Sequence, residues 1–112
     1  MKLFLITRAD LAPGQQAVQA AHALREFVND HPDVDRDWYE KSKTLVLLAA
    51  DNEDALAHVL REAQRRGVPA AAFFEPDLDD ALTAIALAPA GERMCQNLDL
   101  ALRQSAPVAE RI

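Results

Sequence analysis

Apolar and polar positions fall in blocks along this chain, and the blocks predict the element order β-α-β-α-β-β-α. Leu3–Thr7 is a short apolar run bounded by charge and turn residues, the pattern of a buried strand. Gln15–Asn29 follows with helical spacing. Ala17, Ala20, Ala21, Leu24, Phe27 and Val28 stand at i, i+3, i+4, i+7, i+10 and i+11 and so share one apolar face. His31-Pro32 ends this helix, because a residue before proline avoids the helical region. Asp33–Lys43 is charged and irregular, with Trp38-Tyr39 as an anchor or a short helix.

Thr44–Ala50 is continuously apolar and predicts a central strand covered on both faces. Asp51 or Asn52 then suits an N-cap, and Glu53 and Asp54 suit the positive end of a helix. That helix runs to about Arg66 on a stripe of Ala55, Leu56, Val59, Leu60 and Ala63, with Gly67 as its C′ residue. Val68–Phe74 and Leu82–Leu87 read as two further strands. The acidic link Glu75–Ala81 is too short for a helical crossover, so these two are expected to be antiparallel neighbours. Pro89–Gly91 is a turn and Glu92–Arg103 a last helix; the tail from Ser105 is expected to fray. The expected fold is a three-layer α/β/α domain over residues 1–112, with a four-stranded mixed sheet.

Composition narrows the function classes. The chain has 112 residues, half of them apolar, enough to form a core without staples. Its one cysteine, Cys95, rules out an internal disulfide and fits a cytoplasmic protein. The N-terminal apolar run is too short for a secretory signal, and no window reaches the length of a membrane span. Acidic residues outnumber basic ones, 18 to 12, which weighs against extensive phosphate-backbone binding. No His/Cys/Asp set has zinc-like spacing, and Glu75, Asp77, Asp79 and Asp80 match no calcium loop; neither a metal nor another cofactor is expected.

The chemistry concentrates between Arg8 and Ala23, R-A-D-L-A-P-G-Q-Q-A-V-Q-A-A-H-A. A buried strand feeding a helix through a polar turn leaves backbone N–H groups and side chains at the strand's carboxyl end, where open α/β sheets place ligands. Gln15, Gln19, His22 and Glu26 form a stripe opposite the apolar face, either a row lining a cleft or a solvated helix face. His22 suits a proton-transfer role near neutrality. Asp10 orients a catalytic group or binds a metal, or else makes an Asx-turn or caps the coming helix, and Arg8 holds an anion or pairs with Asp10 or Glu75. Thr83 offers a hydroxyl or is an ordinary strand residue.

Arg8, Asp10-Leu11, Gly14, Ala17, Gln19 and His22-Ala23 resemble the peptidyl-tRNA hydrolase 2 family pattern R-x-D-L followed by G-K-x-A-A-Q-C-S-H-A. Gly67-Val68-Pro69 and the run T-A-I-A-L-A-P from Thr83 to Pro89 continue the similarity over nearly the whole chain. The resemblance implies hydrolysis of the ester between peptide and tRNA, with His22, Asp10 and Asp77 catalytic and Arg8, Gln15, Gln19, Arg25 and Thr83 binding peptidyl-tRNA or a tRNA-like ligand. It also implies a homodimer.

The departures fall on charge. The family lysine after the glycine is Gln15, and a second lysine falls near Asn29. The family loop D-A-G-R-T-Q-I-A-P-G-S is replaced by the shorter E-P-D-L-D-D-A-L, in which Glu75 or Asp77 could stand for the family aspartate while its arginine, glycines and serine are gone. A glutamine amide lacks the charge that a lysine brings to a phosphate or oxyanion. The alternative expectation is therefore an inert or repurposed binding module on the same fold.

Overall fold

The computed structural model describes residues 1–103. Its strands are β1 (Lys2–Arg8), β2 (Thr44–Ala50), β3 (Ala70–Glu75), β4 (Ala81–Leu87) and β5 (Asp99–Leu100), and its helices α1 (Pro13–Asp30), α2 (Pro32–Lys41) and α3 (Glu53–Arg65). Two 3-10 segments, Pro76–Leu78 and Pro89–Cys95, complete the described chain. The tail from Ser105 lies outside the described residues.

The strands form one sheet in the order β3-β4-β1-β2-β5. β1 and β2 are parallel; β1–β4, β3–β4 and β2–β5 are antiparallel. Strands β1, β2 and β3 therefore run the same way, and β3 and β4 are the antiparallel neighbours that their short link demands.

The sheet has five strands rather than the expected four, and the reason lies after β4. No α-helix spans Glu92–Arg103. Gly91 lies against β4, where an added Cβ would come within 3.2 Å of the Leu87 side chain, and the backbone closes short turns such as Gly91 N–H to Ala88 O at 2.9 Å. The chain then pairs Leu100 with Leu48 and Asp99 with Ala49, covering part of β2 that would otherwise be a bare edge.

Side-chain alternation along β1 divides the core. Phe4 and Ile6 face α3, where they meet Leu48, Leu56, Val59, Ile85 and Leu87. Leu3 and Leu5 face α1 and α2, where they meet Ala23, Phe27, Trp38 and Ala86. The charged segment after Pro32 forms α2 because buried Trp38 anchors it, its indole N–H donating to Thr44 O at 2.8 Å. Asn52 is the N-cap of α3, accepting from the Ala55 N–H at 2.9 Å. Gly67 follows that helix with φ +71°, a conformation that costs glycine little.

Helix α1 is rotated from its expected setting. Ala17 and Ala21 are exposed, whereas Gln16, Gln19, Ala20, Ala23 and Phe27 are buried. The row from Gln15 to Glu26 thus flanks the buried face instead of opposing it, and Gln19 is completely buried. Alanine methyls gain little from burial, and the hydrogen bonds of two glutamines outweigh that gain. Gln16 donates to Leu11 O at 2.8 Å and accepts from Leu102 N–H at 3.2 Å.

Candidate functional site

The carboxyl ends of β1, β2 and β3 lie at one end of the sheet, together with the start of β4 and the N-termini of α1 and α3. Helix α1 descends across β3 in the opposite direction. His31 Nε2 lies 2.9 Å from Ala70 O, His22 stacks on Phe73 with ring centroids 4.2 Å apart, and Gln19 reaches Glu75. This track brings one turn of α1 to the last residue of β3.

A β-bulge supplies the other side of the contact. β3 and β4 pair in regular register from Ala70–Leu87 to Phe73–Ala84, but Phe74 then pairs with Leu82. Thr83 is the extra residue. Uninterrupted alternation from Leu87 and Ile85 would aim Thr83 at α3; the bulge turns it towards α1. Its hydroxyl is fully buried and donates to Gln19 Oε1 at 2.7 Å. Beneath it, the Thr7 hydroxyl donates to Thr83 O at 3.0 Å.

Gln19 is the hub. Its Nε2 donates to Gln15 Oε1 and to Glu75 Oε1, each at 3.1 Å, while its Oε1 accepts from Thr83. An ionised carboxylate only accepts, so Glu75 fixes which end of the Gln19 amide faces it. The same logic orients Gln15. Its oxygen is held by Gln19, so its NH2 is turned to solvent as a neutral donor pair. No buried side-chain nitrogen or oxygen among the described residues lacks a partner.

A second polar group sits beside this one. Arg8 donates to both carboxylate oxygens of Asp10, at 3.0 and 2.9 Å, and to Leu82 O at 3.2 Å. Of the two acidic neighbours open to Arg8, Asp10 takes it. Hydrogen bonding to the guanidinium holds the Asp10 carboxyl below the ordinary carboxylate range; the same bond raises Arg8. Asp10 is thereby a weak base, and Arg8 is largely neutralised. Glu53, in the first turn of α3, accepts from Leu82 N–H at 2.7 Å.

The structure thus joins Gln15, Gln19 and Thr83 in one network and Arg8 and Asp10 in another, both touching the Leu82-Thr83 backbone. His22 is exposed but fixed against Phe73. Asp77 is exposed in the 3-10 segment that follows Glu75. Arg25 is exposed on α1 and forms no ion pair among the described residues. Glu75, which the sequence offered as a partner of Arg8 or a stand-in for the family aspartate, instead accepts from Gln19. The clue was its position as the first charged residue after the apolar run of β3, equivalent to Arg8 after β1. Among the described residues no group of three or more His, Cys, Asp and Glu could hold a metal ion. No described helix is long and apolar enough to cross a membrane.

A three-layer α/β/α fold with a glutamine-centred polar network at its strand ends defines the class, and comparison with known proteins supplies the family. Residues 1–104 match the family peptidyl-tRNA hydrolase PTH2, and the chain belongs to it. The peptidyl-tRNA hydrolase of Thermococcus onnurineus strain NA1 is 27% identical over 103 residues, spanning 83% of this chain and 87% of the relative. The solved structure of a protein of unknown function from Agrobacterium tumefaciens strain C58 superposes with a TM-score of 0.65 at 17% identity, over 88% of this chain and 96% of that one. That second likeness is one of fold.

Proposed function

We propose that this chain is a hydrolase of the ester bond that links a peptide to tRNA, working at the Gln19–Glu75–Thr83 constellation. Family membership and the Thermococcus relative support the reaction class. The observation that carries the reading is the half-buried Glu75 carboxylate, held through Oε1 by the buried Gln19 amide while its Oε2 meets no donor among the described residues. A positioned carboxylate with one free oxygen is a general base for water.

In this reading Glu75 takes a proton from water as its oxygen bonds to the ester carbonyl carbon. The tetrahedral intermediate then expels the ribose oxygen, which leaves with a proton. The Gln15 NH2 donates to the carbonyl oxygen as negative charge develops there, a role worth about 100- to 1000-fold in rate for one oxyanion donor. His22, held flat on Phe73, delivers the proton to the leaving ribose oxygen. Gln19 and Thr83 are positioning residues, and Asp10 positions Arg8 for the substrate backbone. Asp77, two residues after Glu75, is a second carboxylate of this segment, and Arg25 is the α1 cation for a phosphate. No cofactor takes part. The cytoplasmic location and the homodimer belong to the same proposal.

One observation favours a second reading, a binding module without turnover. Asp10, Asp51, Glu53, Glu75, Asp77, Asp79 and Asp80 lie at or follow the strand ends, whereas Arg8 is already paired. Such charge repels phosphate. The discriminating experiment incubates micromolar protein with a peptidyl-tRNA and follows release of free tRNA, beside an authentic family enzyme. Turnover is expected; no release under conditions where the control enzyme works would leave the binding module.

A further inference from the structure

Charge is unevenly shared in this acidic chain. The carboxylates just described gather at one end of the sheet, whereas Arg61, Arg65 and Arg66 crowd the last turns of α3. Beside them, across an open cleft of about 250 Å³, stands the 3-10 segment Pro89–Cys95. The cleft is lined by His58, Val59, Glu62, Arg66, Arg93 and Met94.

Its construction is that of an anion site with an apolar floor. Val59 is buried and Met94 half-buried, while His58, Arg66 and Arg93 stand exposed around them. One oxygen of Glu62 accepts from both Arg65, at 2.6 Å, and Arg66, at 3.4 Å. One carboxylate therefore serves two guanidiniums, each of which keeps N–H groups to spare. Hydrogen bonding from Arg65 also holds the Glu62 carboxyl below the ordinary range, so the shared anion stays ionised. Arg65 and Arg66 have a local explanation, since cations suit a helix C-terminus. Arg93 does not. It comes from another element, enters no ion pair among the described residues, and points the surplus of charge into the cleft.

We infer that this cleft binds a phosphodiester group of RNA, with Arg66 and Arg93 on the phosphate, His58 as a further donor and Val59 and Met94 under the sugar or base. The ligand class follows from size and shape. The volume is below the roughly 300 Å³ at which small-molecule pockets begin, so the cleft suits one unit of a polymer rather than an engulfed metabolite. Arg61 and Arg65 extend the cations along the outer side of α3, an arrangement that suits a polyanion. Arginine forks also match phosphate geometry. The inference rests on the proposed function only in taking RNA as the ligand. The cleft lies on the α3 side of the sheet, whereas Gln19 and Thr83 meet on the α1 side.

Fluorescence anisotropy with deacylated tRNA tests it, because that probe carries no ester. Wild-type protein is expected to bind at low salt. Arg93→Glu is expected to weaken binding about tenfold and to lower the slope of log affinity against log salt by about 0.7–0.9, whereas Arg93→Lys keeps most of the affinity. Arg93 is exposed, and matching melting temperatures verify that the variants fold. Inorganic phosphate, titrated by NMR, should shift His58, Val59 and Met94 in wild type and not in Arg93→Glu. Unchanged tRNA affinity in Arg93→Glu, or phosphate shifts without any tRNA binding, would overturn the inference. Binding through Arg93 without turnover retains this site and removes the hydrolase; turnover with binding indifferent to Arg93 does the reverse.

Discussion

The two faces of the sheet differ in kind. The face under α3 is apolar throughout, with Phe4, Ile6, Leu48, Leu56, Val59, Ile85 and Leu87 in contact. The face under α1 has an apolar half, around Leu3, Leu5 and Phe27, and a polar half, where Thr7, Gln16, Gln19 and Thr83 are buried. Burying a polar side chain costs free energy unless its hydrogen bonds are made, and here they are made at every one of the four. The apolar face holds the sheet to its helices by the hydrophobic effect. The polar face adds direction, fixing Glu75 and Gln15 at its outer edge. A site grows at the end of the fold where the core stops being purely apolar.

This contrast orders the expected effects of substitution. Phe27→Ala empties the centre of the apolar half under α1 and is expected to cost about 3–5 kcal/mol, measured by urea denaturation. Leu56→Ala on the opposite face is expected to cost about 2–5 kcal/mol. Comparable losses on both faces would agree with one sheet shared by two cores. Gln19→Leu keeps the bulk but leaves Thr83, Gln15 and Glu75 without their partner. It is expected to cost about 1–3 kcal/mol and to abolish hydrolysis. A neutral effect on both readouts would remove the polar half from the account.

Gln15→Lys sharpens the functional side of the comparison. It returns a cation to the only network residue that turns a donor to solvent, and tRNA affinity is expected to rise several-fold at low salt and to become more salt-dependent. The gain would show that geometry survived while charge was lost. No gain would place the deficit in the acidic segment after β3.

Asp10→Asn gives the smallest effect. The Asp10 carboxyl lies below its ordinary range when folded, so it binds its proton more readily in the unfolded chain. Its stabilising contribution is present above the unfolded value near pH 4 and is lost as pH falls through the folded value. The pair is exposed enough to solvent, 42% at Asp10, that the contribution is at most about 1 kcal/mol. Denaturation midpoints from pH 7 to pH 2 should therefore fall less steeply for Asp10→Asn than for wild type.

How far the sequence foretold this molecule follows the same division. Strands β1 to β4 and helix α3 were legible because apolar runs, an N-cap at Asn52 and a C′ glycine act locally. Helix α1 was legible as a helix but not in its rotation, because Gln16 and Gln19 are buried by partners distant in sequence. Gln19 meets Thr83 and Glu75, residues 64 and 56 positions away. The bulge at Thr83 has no local mark either; it appears only when β3 and β4 are paired. The segment after Pro89 has helix-forming residues, yet pairing with the free edge of β2 prevails over propensity. Cys95 packs into the core under α3. It is buried, and desolvation followed by the nearby Glu92 charge pushes its thiol up to about 11.

The central claim is that Glu75, held by Gln19, is the base of an ester hydrolase. It is tested most directly by initial rates of tRNA release from a peptidyl-tRNA with wild-type protein and with Glu75→Gln at matched concentrations. Glu75→Gln preserves shape and can still accept from Gln19, so its melting temperature should stay close to that of wild type. The account predicts wild-type turnover and a fall of about 100-fold or more in the variant, the range of a lost general base. Equal rates in the two proteins would contradict it.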